Sequence, residues 1–436
     1  MRKISMKHFN IKTLGCKVNQ SESETLAAQL QQKGMIDFTD NQSGEKADLY
    51  IINTCAITGK AAMQSRQAIR KALKENPQAK IIVTGCYAQT SPDEIKTING
   101  VDCILGHNEK QNIINMVISG ETVCQWHEQK NISTPTVPFK KTRPFLKVQD
   151  GCNSFCTYCI VPFARGRSKS LATENVLEHI RQYVAAGYHE LVLTGVHLGM
   201  YGLDLSPKTN LYELLTQINN ATDVDRIRLS SIEPLELTDN IIGLVSFSDK
   251  FCNHFHIPLQ SGDDPILKKM NRPYSSSFFR KQVLKIKSLI PDAAIGADVL
   301  IGFPGETDKA FNHTLSLIDE LPLTYLHVFP FSPRKGTPAA GYPDQVRQEV
   351  IKERCKIIRT LSTAKKRTFY TSFIGRTVTA LMESKRTGTG HLKGITSNYI
   401  PILIEGKDDL KNTLVKVNLQ QLTTDHQMLA QYTGTP

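Results

Sequence analysis

Between Phe145 and Phe331 the sequence passes six times from a short apolar run into a stretch rich in Gly, Pro or polar residues, and then into a helical pattern. The apolar runs lie near Phe145–Val148, Leu191–Leu193, Ile227–Leu229, Phe255–Leu259, Ala297–Ile301 and Tyr325–Phe329. Strands alternating with helices build parallel sheets, and in a β/α barrel the active site forms in the loops that follow the strands. Six units in place of the usual eight leave such a barrel open, with room for a large substrate. The first of these loops, Gly151-Cys152-Asn153-Ser154-Phe155-Cys156-Thr157-Tyr158-Cys159, carries three thiols at C-x3-C-x2-C spacing. Three thiolates hold three corners of a cubane iron–sulfur cluster and leave the fourth iron open to a small molecule, whereas four would close the site. The competing reading is a structural zinc knuckle. Such sites usually pair two C-x2-C units and close with four ligands, and the next candidate here is the distant His179.

Residues 8–124 form a second pattern of strands and helices, expected to be a parallel sheet covered on both faces. Strands are expected at Phe9–Leu14, Asp48–Thr54, Lys80–Thr84 and Val101–Leu105. Ser21-Glu22-Ser23-Glu24 reads as a capping box opening a helix that stops at Gly34; further helices are expected near Gly59–Glu75 and Glu109–Ser119. Cys16, Cys55 and Cys86 each come just after one of the first three strands, where open α/β sheets form their ligand crevice. Any one of them could be a buried core thiol, but three at equivalent positions converge on one site and make a second three-thiolate set. Cys103, Cys124, Cys252 and Cys355 show no such pattern and are read as inert thiols.

The chain of 436 residues is long enough for two or three domains. Its beginning lacks the apolar core of a signal peptide, and it has no run of eighteen apolar residues, so a cytoplasmic protein with no membrane partner is expected. Ten Cys in a reducing compartment point to metal ligation more than to disulfides. The net charge of +12 favours a polyanionic partner, although the basic excess is spread along the chain. Polar residues 125–141 read as a linker, residues 142–370 as the barrel domain, and Val346 to Phe369 as an amphipathic helix leading out of it. Residues 371–436 carry short strands, at Thr377–Leu381, Tyr399–Ile404 and Leu414–Val417, with Gly-rich turns, the pattern of a small antiparallel β-barrel. Such barrels often bind RNA, and Lys385, Arg386, His391 and Lys393 lie on its Gly-rich turn, which a solvated charged loop would explain equally.

The Cys152, Cys156, Cys159 run resembles the signature of the radical S-adenosylmethionine (SAM) superfamily. With Cys16, Cys55 and Cys86 before it and a small barrel after it, nearly the whole chain resembles the methylthiotransferases. The resemblance implies an α/β fold of three parts: an N-terminal parallel-sheet cluster domain, an open (β/α)6 radical SAM barrel and a C-terminal TRAM barrel. It implies two [4Fe–4S] clusters, each held by one cysteine triad, and SAM chelated to the open iron of the barrel cluster. Carried over from the superfamily, Thr194, Gly195, Gln260, Ser261 and Gly302 become candidates for SAM contacts, with Ser231 and Glu233 from the third strand, and Tyr158 matches the usual aromatic before the last Cys. For the polar ones a helix cap or turn former is the alternative.

Gly15-Cys16-Lys17-Val18-Asn19 and the run from Tyr158 to Ser168 look most like the branch that acts on threonylcarbamoyladenosine beside the tRNA anticodon. Its reaction converts an aromatic C2–H into C–S–CH3 at position 37. The carbon is neither acidic nor electrophilic, so a radical derived from SAM is a reasonable requirement. The branches acting on isopentenyladenosine and on a ribosomal-protein aspartate are the alternatives; a multi-cluster electron-transfer protein is the alternative of a different class. The resemblance further implies the tRNA anticodon stem-loop as partner, a reduced flavodoxin or ferredoxin as electron donor, and no principal catalytic side chain beyond the six Cys.

Overall fold

The computed structural model describes residues 7–39, 46–110, 112–119 and 141–436. The linker expected over 125–141 lies outside them except for Lys141, as does Cys124. The chain divides into two compact units. The first holds the described N-terminal residues together with Phe145–Leu171 and Ser332–Ala340; the second holds residues 141–144, Ala172–Phe331 and Gly341–Pro436.

The first unit is built on β1 (His8–Thr13), α1 (Lys17–Gln32), β2 (Ile36–Asp37), β3 (Leu49–Thr54), α2 (Gly59–Glu75), β4 (Lys80–Gly85), α3 (Cys86–Thr90), α4 (Pro92–Lys96), β5 (Cys103–Ile104) and α5 (Asn112–Ser119). All five strands run parallel in the order β2-β1-β3-β4-β5. The central strand β3 is buried along its whole length, as a strand covered on both faces must be. Its side chains divide by alternation: Tyr50 and Ile52 join Ile81, Val83 and Ile69 of α2 on one face, while Leu49 and Ile51 join Phe9, Ile11, Leu26 and Leu30 on the other.

Three expectations are corrected here. The short edge strand β2 was not anticipated, because two residues carry no periodic signal. Ser21 and Glu24 do not form a capping box, since α1 begins at Lys17 with Cys16 in the N-cap position. Ser21 instead donates to the Phe145 carbonyl at 2.9 Å, and Glu22 is buried within the unit. Cys103 is buried in β5 and disulfide-bonded, not the free core thiol expected.

The second unit contains parallel strands Glu190–Thr194 and Arg226–Leu229, and a parallel set of His254–His256, Ala294–Ile301 and Tyr325–Pro330. Helices intervene, each expected strand except the first being found here within a few residues of its place. The long helix Gln348–Thr371 packs on Tyr325–Pro330 and leads to a closed barrel of five strands: Thr377–Arg386, Leu392–Thr396, Pro401–Ile404, Leu414–Leu422 and Met428–Gly434. Four of its pairings are antiparallel, but Pro401–Ile404 pairs with Met428–Gly434 in parallel, so the barrel is not wholly antiparallel. Tyr399, expected within a strand, is a turn residue with φ of 67°, and its ring stacks on His254 with centroids 4.6 Å apart.

This terminal barrel is bonded into the unit. Arg228 is fully buried, pairs with Glu190 at 2.8 Å, and donates to the carbonyls of Ser397 and Thr396 at 2.9 and 3.0 Å. Arg226 donates to the Thr379 carbonyl at 2.8 Å.

Candidate metal centres

Strand register determines where the first cysteine triad falls. Thr13 is level with Asn53, and Asn53 with Thr84, so β1, β3 and β4 end together. Cys16, Cys55 and Cys86 follow within three residues of that level. This places the three thiols at one end of the sheet, near enough for the charges of Cys86 and Cys16 to act on Cys55. Two glycines make this turn geometry possible. Gly15 has φ of 97°, and a Cβ on it would lie 2.7 Å from Cys55 Sγ; Gly85 has φ of 96°, and its Cβ would lie 2.5 Å from the Thr54 carbonyl oxygen.

The second triad lies in the same compact unit. Gln149–Asp150 pairs antiparallel with Lys169–Ser170 and closes the base of the loop. Cys152 N donates to the Gly166 carbonyl at 3.1 Å, Cys159 N to the Cys156 carbonyl at 3.0 Å, and Ala339 N to the Thr157 carbonyl at 2.9 Å. The amide of Ser154 points at Cys152 Sγ at 3.3 Å, the kind of N–H···S contact that stabilises a cluster-bound thiolate. After Cys159 the short helix Val161–Arg165 packs Ile160 and Ala164 against Cys86, Tyr87 and Ala88.

Arg165, at the end of that helix, connects the two sites. Its Nη1 donates to Glu22 Oε1 at 3.0 Å and to Asp150 Oδ1 at 2.8 Å, and its Nη2 bonds Asn19. Asn19 in turn donates to the carbonyls of Leu14 and Thr54, the backbone just before Cys16 and Cys55. Asp150 accepts from the Gly151 amide at 2.8 Å, next to Cys152. Lys147 bridges Glu22 and Asp150 at 3.0 and 2.9 Å, Lys110 pairs with Glu22, and His107 Nε2 lies 3.2 Å from Asp150.

The charges in this network are fixed by their neighbours. Burial alone would raise the Glu22 and Asp150 carboxyls, but Arg165 and Lys147, with Lys110 at Glu22, hold both well below the usual carboxylate range. Burial opposes the Arg165 charge, yet Glu22, Asp150 and the thiols of Cys86 and Cys16 hold it well above its ordinary value. Burial and then Arg165 push His107 down to about 4, so it is neutral at pH 7. Burial pushes Cys55 up to about 12 and raises Cys86, while Arg165 acts on both in the opposite sense. Thiolates are needed at this position, and an adjacent cationic iron–sulfur core would stabilise them far more than one guanidinium. Three sulfurs at each site, a buried cation beside one and an amide donor at the other, fit the iron–sulfur group.

Arg165, Glu22, Asp150, Lys147 and His107 were missed as site residues by sequence reasoning. The available signals were Arg165 within the Tyr158–Ser168 run and Glu22 among apolar helix positions, but pairing them needs contacts over 143 residues of separation.

The residues carried over for SAM are mostly engaged within the protein. Thr194 is buried at the end of its strand, Gly195 is half-buried, and Ser231 is exposed. Glu233 bonds Arg272, and burial raises its carboxyl despite that partner. Gln260 has φ of 63° and its amide donates to the Asp298 carbonyl at 2.8 Å. Ser261 Oγ lies 3.3 Å from Thr314 Oγ1 and accepts from the Asp263 amide. Gly302 N donates to Glu306 Oε1 at 3.0 Å, and Tyr158 is half-buried. On the terminal barrel Lys385 is exposed and Lys393 half-buried, while Arg386 is held by Asp408 and the carbonyls of Gly390 and Gly406. His391 Nδ1 lies 3.0 Å from Thr389 Oγ1.

Residues 8–106 match the family described as "Uncharacterized protein family UPF0004", and residues 146–318 match the Radical SAM superfamily. Threonylcarbamoyladenosine tRNA methylthiotransferase MtaB of Bacillus subtilis (strain 168) is 38% identical over 423 residues, covering 93% of this chain and 92% of that protein. The MtaB of Thermotoga maritima is 40% identical over 368 residues, covering 80% and 82%. The tRNA-2-methylthio-N(6)-dimethylallyladenosine synthase of Clostridium botulinum is 37% identical over 428 residues, 94% of each chain. Among solved structures, the radical SAM methyltransferase TsrM from Kitasatospora setae aligns with a TM-score of 0.56 at 14% identity, covering 77% of each chain, which supports the fold. With both parts matched in this order and relatives aligned over most of their length, the chain belongs to the radical SAM methylthiotransferase family, MtaB type.

Proposed function

We propose that this enzyme replaces the C2 hydrogen of N6-threonylcarbamoyladenosine, at position 37 beside the tRNA anticodon, with a methylthio group. Cys152, Cys156 and Cys159 would hold one [4Fe–4S] cluster with SAM, and Cys16, Cys55 and Cys86 a second. When bound, these groups supply the radical that removes hydrogen and the sulfur that replaces it. The observation that carries the reading is the placement of both triads in one compact unit, with Arg165 reaching the first triad and the Asp150 base of the second loop.

The chain's own residues position and bias these sites. Arg165 sets a fixed positive charge beside Cys16 and Cys86, and Glu22, Asp150 and Lys147 keep it from moving. Neutral His107 fills the remaining space at Asp150 without adding charge. The exposed Lys385 and the half-buried Lys393 are the terminal-barrel groups for RNA phosphates, and a reduced flavodoxin or ferredoxin would supply electrons in the cytoplasm. Among the described residues no helix is long and apolar enough to cross a membrane.

Relatives named for dimethylallyladenosine at similar identity support a second reading, in which the isopentenyl nucleoside is the substrate. Nucleoside mass spectrometry of tRNA from cells with and without the protein separates the two. Loss of the methylthiolated threonylcarbamoyladenosine alone supports the proposal. Loss of the methylthiolated isopentenyladenosine alone favours the second reading.

A further inference from the structure

A polar cluster lies on three parallel strands of the second unit. Register sets His256 opposite Gly296 and Asp298 opposite His327. Alternation places His254, His256, Asp298, Tyr325 and His327 on one face, while Leu326 is buried and its amide bonds Ser362 of the helix Gln348–Thr371. His256 Nε2 is 2.8 Å from Asp298 Oδ1, and His327 Nδ1 is 3.2 Å from the same oxygen. Gly296 leaves the room that Tyr325 occupies: a Cβ there would lie 2.3 Å from the ring carbon Cζ. The Tyr325 hydroxyl reaches His256 Nδ1 at 3.2 Å and His254 Nε2 at 2.8 Å. Tyr399, stacked on His254, covers that end of the cluster. The other end is open, since the His327 side chain is 55% exposed whereas those of Asp298 and His256 are 19% and 6% exposed.

Charge makes the cluster unusual. Among the described residues the ion-pair partners of Asp298 are two imidazoles, with no Lys or Arg. Glu22, His107 and Asp150 also bring their ligand atoms within 4.8 Å of one another, but Arg165, Lys147 and Lys110 already neutralise those carboxylates. Two imidazoles and one carboxylate with open positions are the donor set of a mononuclear divalent metal site. Metal–ligand bonds of about 2.1 Å at right angles separate neighbouring donors by about 3.0 Å, close to the N···O spacings found. A hydrogen bond to the far ring nitrogen, as Tyr325 offers His256, fixes the tautomer that leaves Nε2 for the metal.

We propose that His256, Asp298 and His327 bind a divalent first-row transition-metal ion, separate from the iron–sulfur sites, with open coordination positions on the His327 side. The competing state is a cluster held by hydrogen bonds alone.

The test titrates Mn(II) into anaerobic full-length protein whose clusters are in the oxidised, diamagnetic state, and follows loss of the free-ion six-line EPR signal. Uptake of one Mn(II) per chain, displaced by Zn(II), is expected. Asp298→Asn and His327→Ala should each weaken uptake at least about tenfold, and Tyr325→Phe should weaken it through the orientation of His256. A calorimetric midpoint of the second unit equal to that of the parent shows that the variants are folded, and His327 is exposed enough to be removed without opening the core. Absence of uptake, or uptake that Asp298→Asn and His327→Ala leave unchanged, overturns the proposal.

Discussion

Replacing Arg165 with Met leaves Glu22 and Asp150 buried without their shared guanidinium. Removing one partner of a buried pair costs about 3–5 kcal/mol, because the remaining charge keeps its desolvation penalty. Glu22 retains Lys147 and Lys110, and Asp150 retains Lys147, so the low end, about 3 kcal/mol, is the expected loss. For a unit of this size each kcal/mol moves the midpoint by about 2–4 °C, giving a fall of about 6–12 °C. Thermal unfolding of the full chain reads the shift, and hydrogen exchange at β3 and β4 assigns it to this unit, since two units need not unfold together. Adding Glu22→Gln to Arg165→Met removes one of the charges left behind. The double variant should therefore lose less than the sum of the single losses, by about 1–3 kcal/mol. A midpoint for Arg165→Met within about 2 °C of the parent, or strictly additive losses, would refute the reasoning.

His107 is pushed down to about 4, so as pH falls from about 6.5 towards 4 the unfolded chain takes up a proton that the folded one does not; stability should fall over that window, and His107→Gln should flatten the slope in urea titrations. Glu22 and Asp150, with folded pKa values depressed, contribute stability that is present above the ordinary carboxylate range and lost as pH drops through their folded values. Lys385→Ala should lower the salt slope of tRNA binding by about one unit, whereas Arg386→Ala should lower it less, because Asp408 already occupies that guanidinium. Truncation before residue 371 removes the carbonyls that satisfy Arg228, so it should lower the midpoint of the remaining second unit as well as tRNA affinity; an unchanged midpoint in calorimetry would contradict the docking role of Arg228.

Legibility in the sequence followed burial. Central strands such as β3 and β4 were read from Tyr50-Ile51-Ile52 and Ile81-Ile82-Val83, because parallel strands covered on both faces are nearly continuous apolar runs. The convergence of Cys16, Cys55 and Cys86 followed from the same strands, since residues at parallel strand ends meet whatever their separation along the chain. Ser21-x-x-Glu24 has the letters of a capping box, but the Gly15–Cys16 turn starts the helix five residues earlier and turns Glu22 inward. The terminal barrel was legible as a class and not in its details: Met428–Gly434 closes it through a parallel pairing that no local pattern encodes. Arg165 stood inside a recognised run, yet its partners Asn19 and Glu22 lie more than 140 residues away, so its role is a property of the fold. The His256, Asp298 and His327 cluster was hidden for the same reason, its members being spread over three strands whose register alone brings them together.

The proposed function requires a division of labour between the two cysteine triads. Reconstituted protein carrying Cys16→Ala, Cys55→Ala and Cys86→Ala would be incubated anaerobically with SAM, reductant and tRNA bearing threonylcarbamoyladenosine, and 5′-deoxyadenosine and the modified nucleosides would be quantified by mass spectrometry. Iron is expected to fall from about eight to about four per chain, 5′-deoxyadenosine still to form, and no methylthiolated nucleoside to appear. Methylthiolated nucleoside from this variant would contradict the sulfur-holding role of the first triad.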